Sequence, residues 1–147
     1  MRIILSILTT ISILGCGAGT LGGFDPIKFE TDKNTLGSAL DSLYKLHPEY
    51  AIPDKWKDFD SWSERGFDFL NGRILYFSSP PEEMIYVTIL AGDETRIAIR
   101  SVNNGQQRWL KEEDFSTADK ERIERRFDSE IISKLEKLTK SKSVRED

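Results

Sequence analysis

The chain has 147 residues, a length that favours one domain. Hydrophobic residues make up 38%, charged residues 31% and aromatic residues 10%, so the chain is too rich in aromatic side chains for a disordered protein. A formal net charge of -4 argues against nucleic acid as a partner, because phosphate binding needs a basic surface. One cysteine and one histidine exclude an internal disulfide and a zinc site with three or four nitrogen and sulfur ligands.

Residues 1–15 have the pattern of a secretory leader. Arg2 supplies a positive charge, and Ile3 to Leu14 form an apolar run that only four hydroxyl residues interrupt. Twelve helical residues span about 18 Å. This is too short for a hydrocarbon core of roughly 30 Å and suits the apolar region of a signal peptide.

The apolar run ends in Ile13-Leu14-Gly15-Cys16. An aliphatic residue, a tolerant position, a small residue and then cysteine resemble the lipobox of bacterial lipoproteins. The resemblance implies that the thiol of Cys16 takes a diacylglyceryl group and that a dedicated signal peptidase cuts between Gly15 and Cys16. Leu14 departs slightly, since small or β-branched residues are more usual there. The resemblance covers only residues 1–16, so it implies processing and location but no activity.

Residues 16–23 predict a flexible tether. They contain four glycines and no charge, and a flexible chain of eight residues has a mean reach of roughly 16 Å. Two or three acyl chains on Cys16 would hold the protein firmly, whereas one binds marginally. We therefore expect a protein of the bacterial envelope. Gly17 stands where enteric-type sorting uses aspartate for inner-membrane retention, which implies the outer membrane, facing the periplasm, in a diderm of that type.

Three other interpretations of the leader stay open. The ordinary signal peptidase could cut near Gly17 or Gly19 and release a soluble protein. Cys16 could lie unmodified in a transmembrane helix, although the short apolar run and the glycines disfavour this. The run could also be a helix buried in a protein core.

Residues 24–138 predict a single globular domain, which opens with a strand and a helix. Residues 27–30 alternate apolar and charged side chains, as in a half-buried strand. Thr31 or Asp32 can cap the following helix, and Pro48 ends it. The apolar stripe of this helix consists of Leu36, Leu40, Leu43 and Leu46 or His47. Residues 54–64 show partial helical spacing of their aromatic side chains and are also predicted as helix.

The next forty residues carry the strongest strand signals. Residues 73–78, 84–91 and 95–102 are rich in strand-forming side chains and are separated by short turns. Asn104-Gly105 indicates a hairpin, so residues 106–110 should return as a fourth strand. Short turns between successive strands predict an antiparallel meander.

A long amphipathic helix is predicted to complete the domain. Ser116 begins it, with Asp119 three residues further on. Its stripe consists of Ile123, Phe127, Ile131, Leu135 and Leu138. Residues 139–147 are polar and charged and are predicted to fray. The expected fold is α+β, an antiparallel β-meander of about four strands with two or three amphipathic helices packed on one face.

The mature chain lacks the residue sets of common catalytic and metal sites. Lipid is expected to occupy Cys16. His47 precedes Pro48 at a helix end, where a histidine more often caps carbonyls than catalyses. No phosphate-loop or calcium-loop spacing occurs in the sequence. We therefore expect no catalytic or metal-ligating residue, no cofactor and a non-enzymatic protein.

Acid pairs and tryptophans are the remaining candidates. The acids Glu82-Glu83, Asp93-Glu94 and Glu112-Glu113-Asp114 all fall in predicted turns. Two carboxylates across a cleft could hydrolyse a glycoside, although acids in loops are usually solvated. Trp62, followed by Trp56 and Trp109, could form a surface that stacks on a glycan or a peptidoglycan fragment, or a protein-binding hot spot. Our leading hypothesis is a protein-binding accessory subunit, inhibitor or immunity-type factor. Glycan binding is the second hypothesis, and an acid-only hydrolase is the third.

Overall fold

The computed structural model describes residues 24–59, 72–106 and 108–146, and these form an α+β fold with one antiparallel sheet. The sheet has five strands in the order β2-β3-β4-β1-β5. The strands are β1 (Ile27–Phe29), β2 (Gly72–Phe77), β3 (Glu83–Leu90), β4 (Thr95–Asn103) and β5 (Ser143–Arg145). The helices are α1 (Lys33–Leu46), α2 (Thr117–Phe127) and α3 (Ser133–Thr139), and a π-helix, Asp128–Ile132, joins α2 to α3. The predicted fold class is confirmed.

Both predicted helix caps are present. The Asp32 carboxylate accepts a hydrogen bond of 2.9 Å from the Thr35 backbone N–H, and the Ser116 hydroxyl accepts one of 3.2 Å from the Asp119 backbone N–H. Each bond satisfies a donor that the first helical turn would otherwise leave unpaired. Leu46 differs from the prediction, because it is 63% exposed at the end of the apolar stripe of α1.

Three strands of the predicted meander are confirmed as β2, β3 and β4, but the fourth is reduced to one bridge. Leu110 pairs with Val102 through two backbone hydrogen bonds of 2.8 and 2.9 Å. On this edge of β4, the residues from Thr95 to Ile97 pair with β1. Only the later part of the edge is left for the segment that contains Leu110. Of the helix predicted at 54–64, Asp54–Phe59 forms a 3-10 helix, and residues 60–64 lie outside the described residues.

The prediction of a frayed tail at residues 139–147 is wrong for β5. Ser143 to Arg145 pair antiparallel with β1, and Glu146 donates its backbone N–H to the Pro26 carbonyl over 2.9 Å. The polar composition of this segment suggested fraying, but the open edge of β1 offers backbone partners that do not depend on side-chain hydrophobicity.

Apolar side chains from the helices and one face of the sheet form the helix-face core. Leu36, Leu40 and Leu43 of α1 lie against Ile123, Phe127, Ile131 and Leu135 and against the sheet residues Leu75, Ile85, Val87, Ile97 and Ile99. Each fully buried Leu or Ile contributes roughly 1.5–3 kcal/mol. The described residues contain no helix that is long and apolar enough to cross a membrane.

Side chains also form hydrogen bonds with backbone groups of the two border strands of the sheet. At β2, the Tyr44 hydroxyl donates to the Ile74 carbonyl. At β5, the Glu136 carboxylate accepts from the Ser143 backbone N–H over 2.9 Å. Both border strands therefore carry a backbone group that a side chain of the same chain already satisfies.

Candidate functional site

Two of the three predicted surface tryptophans lie together on the sheet face that the helices leave uncovered. Trp56, Ile74, Tyr76, Met84 and Tyr86 are buried there, with Ile52, Phe59 and Trp109 partly buried against them. We call this group the second-face cluster. It explains why β3 is buried on both faces, since the helix-face core covers its other side.

The two tryptophans of the second-face cluster differ in burial. Trp56 is 8% exposed, and its ring centroid lies 6.0 Å from Phe59 and 5.7 Å from Tyr76. Trp109 is half-buried and donates its indole N–H to the Phe59 carbonyl over 3.1 Å. Trp62 lies outside the described residues. Trp56 thus serves as packing for the sheet, and Trp109 retains a partly accessible surface.

A polar group borders the second-face cluster. The Tyr76 hydroxyl donates to Glu82, and the Lys55 ammonium lies 2.5 Å from the same carboxylate. Hydrogen bonds from Lys55 and then Tyr76 lower the pKa of Glu82. The same carboxylate raises the pKa of Lys55 and of Tyr76. At neutral pH the lysine is therefore charged, the glutamate is a carboxylate and the phenol is neutral. None of these three groups has a pKa shifted towards neutrality, as a general base would need.

Glu83 was expected in a solvated turn, and the structure corrects this. It begins β3 and is 1% exposed. Arg122 binds both of its carboxylate oxygens with a nitrogen-to-oxygen distance of 3.0 and 3.1 Å, and Arg126 adds a third bond of 2.8 Å. Arg126 also donates to the carbonyls of Ser79, Pro80 and Pro81. A buried carboxylate is tolerable here because two guanidinium groups satisfy it.

The spacing of Arg122 and Arg126 carried a signal that sequence reasoning missed. The two residues are four apart on α2, so their side chains lie on one face of the helix. They also adjoin Ile123 and Phe127, which are fully buried. Arginines beside the buried stripe of a helix predict an internal acidic partner, although the spacing alone does not identify Glu83.

A cleft of about 440 Å³ lies between the segment that follows β4 and the start of α2. We call it the hairpin cleft. Glu83 and Arg122 lie on one side, Arg108 and Asp114 line another part, and Leu110 and Phe115 supply apolar surface. The cleft therefore combines fixed charges of both signs with apolar side chains.

The carboxylates of the hairpin cleft are already bonded. Arg108 binds both oxygens of Asp114 with distances of 2.9 and 3.1 Å, and its guanidinium lowers the pKa of Asp114 more than any other group does. Asp119 accepts a bond of 2.7 Å from the Ser116 hydroxyl. Glycoside hydrolysis needs one acid that keeps its proton near neutral pH, and the low pKa of Asp114 does not favour that role.

Glu94 and Glu112, one member of each of the other acid groups, also pair with cations. Glu94 contacts Lys28 and Arg96, and the hydrogen bond from Lys28 is the main cause of its lowered pKa. Glu112 pairs with Lys120. Glu124, a residue outside the predicted acid pairs, has a pKa raised by burial, and its carboxylate lies 3.3 Å from Arg145 of β5.

His47 has the helix-end position that its sequence context predicts. Its backbone N–H donates to the Leu43 carbonyl over 2.8 Å, and its Nδ1 lies 3.0 Å from a carboxylate oxygen of Glu49. Within residues 24–59, 72–106 and 108–146, no group of three or more His, Cys, Asp or Glu side chains could hold a metal ion.

No family model, no curated protein and no solved structure matches this chain. Its function must therefore be argued from its own residues. The hairpin cleft combines the apolar side chains of Leu110 and Phe115 with charged side chains of both signs, and protein-binding surfaces commonly combine apolar and polar groups in this way.

Proposed function

We propose that this protein is a lipid-anchored lipoprotein of the bacterial envelope whose domain binds another protein, as an accessory subunit, inhibitor or immunity-type factor. The observation that carries the anchoring is the lipobox-like Ile13-Leu14-Gly15-Cys16. The mixed charges of the hairpin cleft, together with its apolar residues Leu110 and Phe115, support protein binding. The activity proposed is binding, without chemistry.

The start of the domain brings these two features together. Phe24 is 2% exposed, and its ring centroid lies 6.2 Å from that of Phe115, which lines the hairpin cleft. The chain from Cys16 therefore enters the domain beside the cleft. Eight residues span at most roughly 28 Å, so a partner in the cleft would be held near the membrane.

The charges of the hairpin cleft define the kind of partner. The Arg108 side chain is 66% exposed at the rim and Asp114 is 23% exposed beside it. The Arg122 side chain is 31% exposed. Because the cleft presents groups of both signs, the complementary surface carries both carboxylates and cations. A folded protein fits this requirement better than a polyanion.

The anchoring is tested by Cys16→Ser in the full chain, with Thr20→Ala as a matched change in the tether. We expect Cys16→Ser to abolish labelling by radioactive palmitate and to release the protein from the membrane fraction. Thr20→Ala should keep both. Retention of unlabelled Cys16→Ser protein on the membrane would contradict the proposal.

Protein binding is tested by placing a photo-crosslinking amino acid in living cells at one of two exposed positions. Gln106 lines the hairpin cleft, whereas Asp93 lies in the turn between β3 and β4, at the opposite end of the sheet. We expect a discrete protein adduct from position 106 only, and its loss when Arg108→Ala is added. Equal adducts from both positions, or a glycan adduct from position 106, would count against protein binding.

A further inference from the structure

Strand β5 is held to the domain without burying any apolar side chain. Ser143 and Arg145 are half-buried, and Val144 is 62% exposed. Apolar burial is the main favourable term in folding, and β5 does not use it. Its attachments are backbone pairing with β1 and polar contacts of its side chains.

The polar contacts of β5 are specific and come from several elements. The Arg145 guanidinium donates to the Asp25 carbonyl over 2.9 Å, to Glu124 over 3.3 Å and to Asp128 over 2.5 Å. These groups form an acidic pocket that one arginine fills. The three acceptors belong to α2, the π-helix and the segment before β1, so none of them is part of β5.

The next residue along the chain is held just as specifically. The Glu146 carboxylate accepts from Arg96 of β4 over 2.5 and 3.1 Å, and Arg96 lowers the pKa of Glu146. An acidic pocket for Arg145 and a basic partner for Glu146 therefore give the segment 143–146 a defined register.

The connection that leads into β5 is short and strained. α3 ends at Thr139, and Lys140 adopts φ 54° and ψ 32°, the left-handed region that favours glycine. Among the described residues, Lys140 is the only residue other than glycine with positive φ. Three residues, 140–142, thus reverse the chain at a conformational cost.

We propose that two copies of this chain exchange β5. In the exchanged pair, Arg145 of each copy enters the acidic pocket of the other, and Glu146 meets the other copy's Arg96. All polar contacts of β5 are recovered, and Lys140 leaves the left-handed region. Short, strained hinges favour such exchange because its extended form relieves them. β1 remains in place, since Ile27 and Phe29 are each 2% exposed within the core.

The exchange is tested with two full-length chains that carry different tags, one with Lys28→Cys and the other with Val144→Cys. These residues are register partners across β1 and β5, and both side chains are accessible, at 37% for Lys28 and 62% for Val144. Pairing of β5 of one chain with β1 of the other brings the two introduced cysteines together in the sheet register, and a mixture of Lys28→Cys with Gln106→Cys, an exposed position outside this register, measures the disulfide formed by chance encounters. We expect the heterodisulfide of Lys28→Cys with Val144→Cys to exceed that level after the chains are co-expressed, and peptide mapping separates it from any bond through Cys16.

The double variant, with both cysteines in one chain, tests whether β5 pairs with β1 of its own copy. If that chain closes fully into a disulfide-bonded monomer while the mixed single variants give no heterodisulfide, β5 stays within its own copy and the proposal is overturned. Lys28 and Val144 are both accessible, and circular dichroism of each variant checks that it is folded.

The role of the hinge is tested by Lys140→Gly and Lys140→Ala in the same mixed assay. Both remove the ammonium group, but only glycine relieves the left-handed strain. We expect Lys140→Gly to lower the heterodisulfide yield about fivefold or more, since a Cβ in this region is costly, and Lys140→Ala to leave it unchanged. Equal heterodisulfide yields from the parent and both variants would contradict the proposal that strain at Lys140 favours the exchange.

Discussion

Replacing Glu83 by glutamine removes the negative charge that two arginines share inside the protein. Glu83→Gln has nearly the same shape, so the change isolates the charge. Removing one partner from a buried ion pair costs about 3–5 kcal/mol. We expect the lower end, about 3 kcal/mol, because Arg126 keeps three backbone carbonyl acceptors and because the Arg122 side chain is 31% exposed and can be hydrated.

Urea unfolding followed by circular dichroism measures this loss, and the melting temperature should fall by about 10 °C for a domain of this size. Glu82→Gln is the matched control, since it makes the same change one residue earlier, where the side chain is 33% exposed. We expect only a small shift for this control. A parent-like midpoint for Glu83→Gln, or a larger loss for Glu82→Gln, would refute the assignment of Glu83 as a buried, paired carboxylate.

Three further predictions concern packing and helix caps. Gly72→Ala should destabilise the fold by about 1–3 kcal/mol, because its methyl group would lie 2.4 Å from the Tyr86 ring; adding Tyr86→Leu should recover stability, and no recovery would contradict the clash. Ser116→Ala should cost about 1 kcal/mol through loss of the α2 cap, whereas Ser129→Ala on the exposed helix surface should be nearly silent in the same urea titration. Asp32→Asn should keep the α1 cap at neutral pH. The backbone hydrogen bond from Thr35 lowers the pKa of Asp32, so its charge stabilises the fold above the unfolded pKa of about 4 and this contribution is lost as pH falls through the lower folded value; unfolding curves at pH 7 and pH 3 should therefore differ less in Asp32→Asn than in the parent.

The sequence predicted those parts of the fold that depend on neighbouring residues. Caps at Asp32 and Ser116 begin helices where expected, and β2, β3 and β4 follow from strand-forming runs separated by short turns. These signals are local, since a cap or a turn is determined by residues within one helical turn or one hairpin. The local hairpin signal at Asn104-Gly105 predicted a full fourth strand at residues 106–110. It contains no information on the pairing of β1 with β4, and only one bridge, at Leu110, forms.

The joint between α2 and α3 was encoded in the sequence but interpreted as a regular helix. Ile123, Phe127, Ile131 and Leu135 are spaced by four, and four residues of an α-helix turn about 400°. The apolar stripe would therefore drift by about 40° at each step. The π-helix at Asp128–Ile132 has wider turns, which corrects this drift and buries Ile131 and Ile132 together.

The candidate site depended on contacts that no local pattern contains. Glu83 and Arg122 are 39 residues apart, and Trp109 and Phe59 are 50 apart. An acid after two prolines has the same local signal whether it faces solvent or an arginine on a distant helix. The tryptophan predictions identified side chains that the fold brings together, but the extent of their burial is decided by the sheet that they cover.

The bonds from Tyr44 to Ile74 and from Ser143 to Glu136 have a consequence for behaviour at high protein density. A bare border strand templates further strands and leads towards fibrous aggregates. Here each border strand already has a backbone group that is hydrogen-bonded to a side chain of a neighbouring helix. Other molecules therefore meet a poor template for open-ended strand addition. A reciprocal exchange of β5 between two copies would likewise leave no unpaired β1 edge as a growing end.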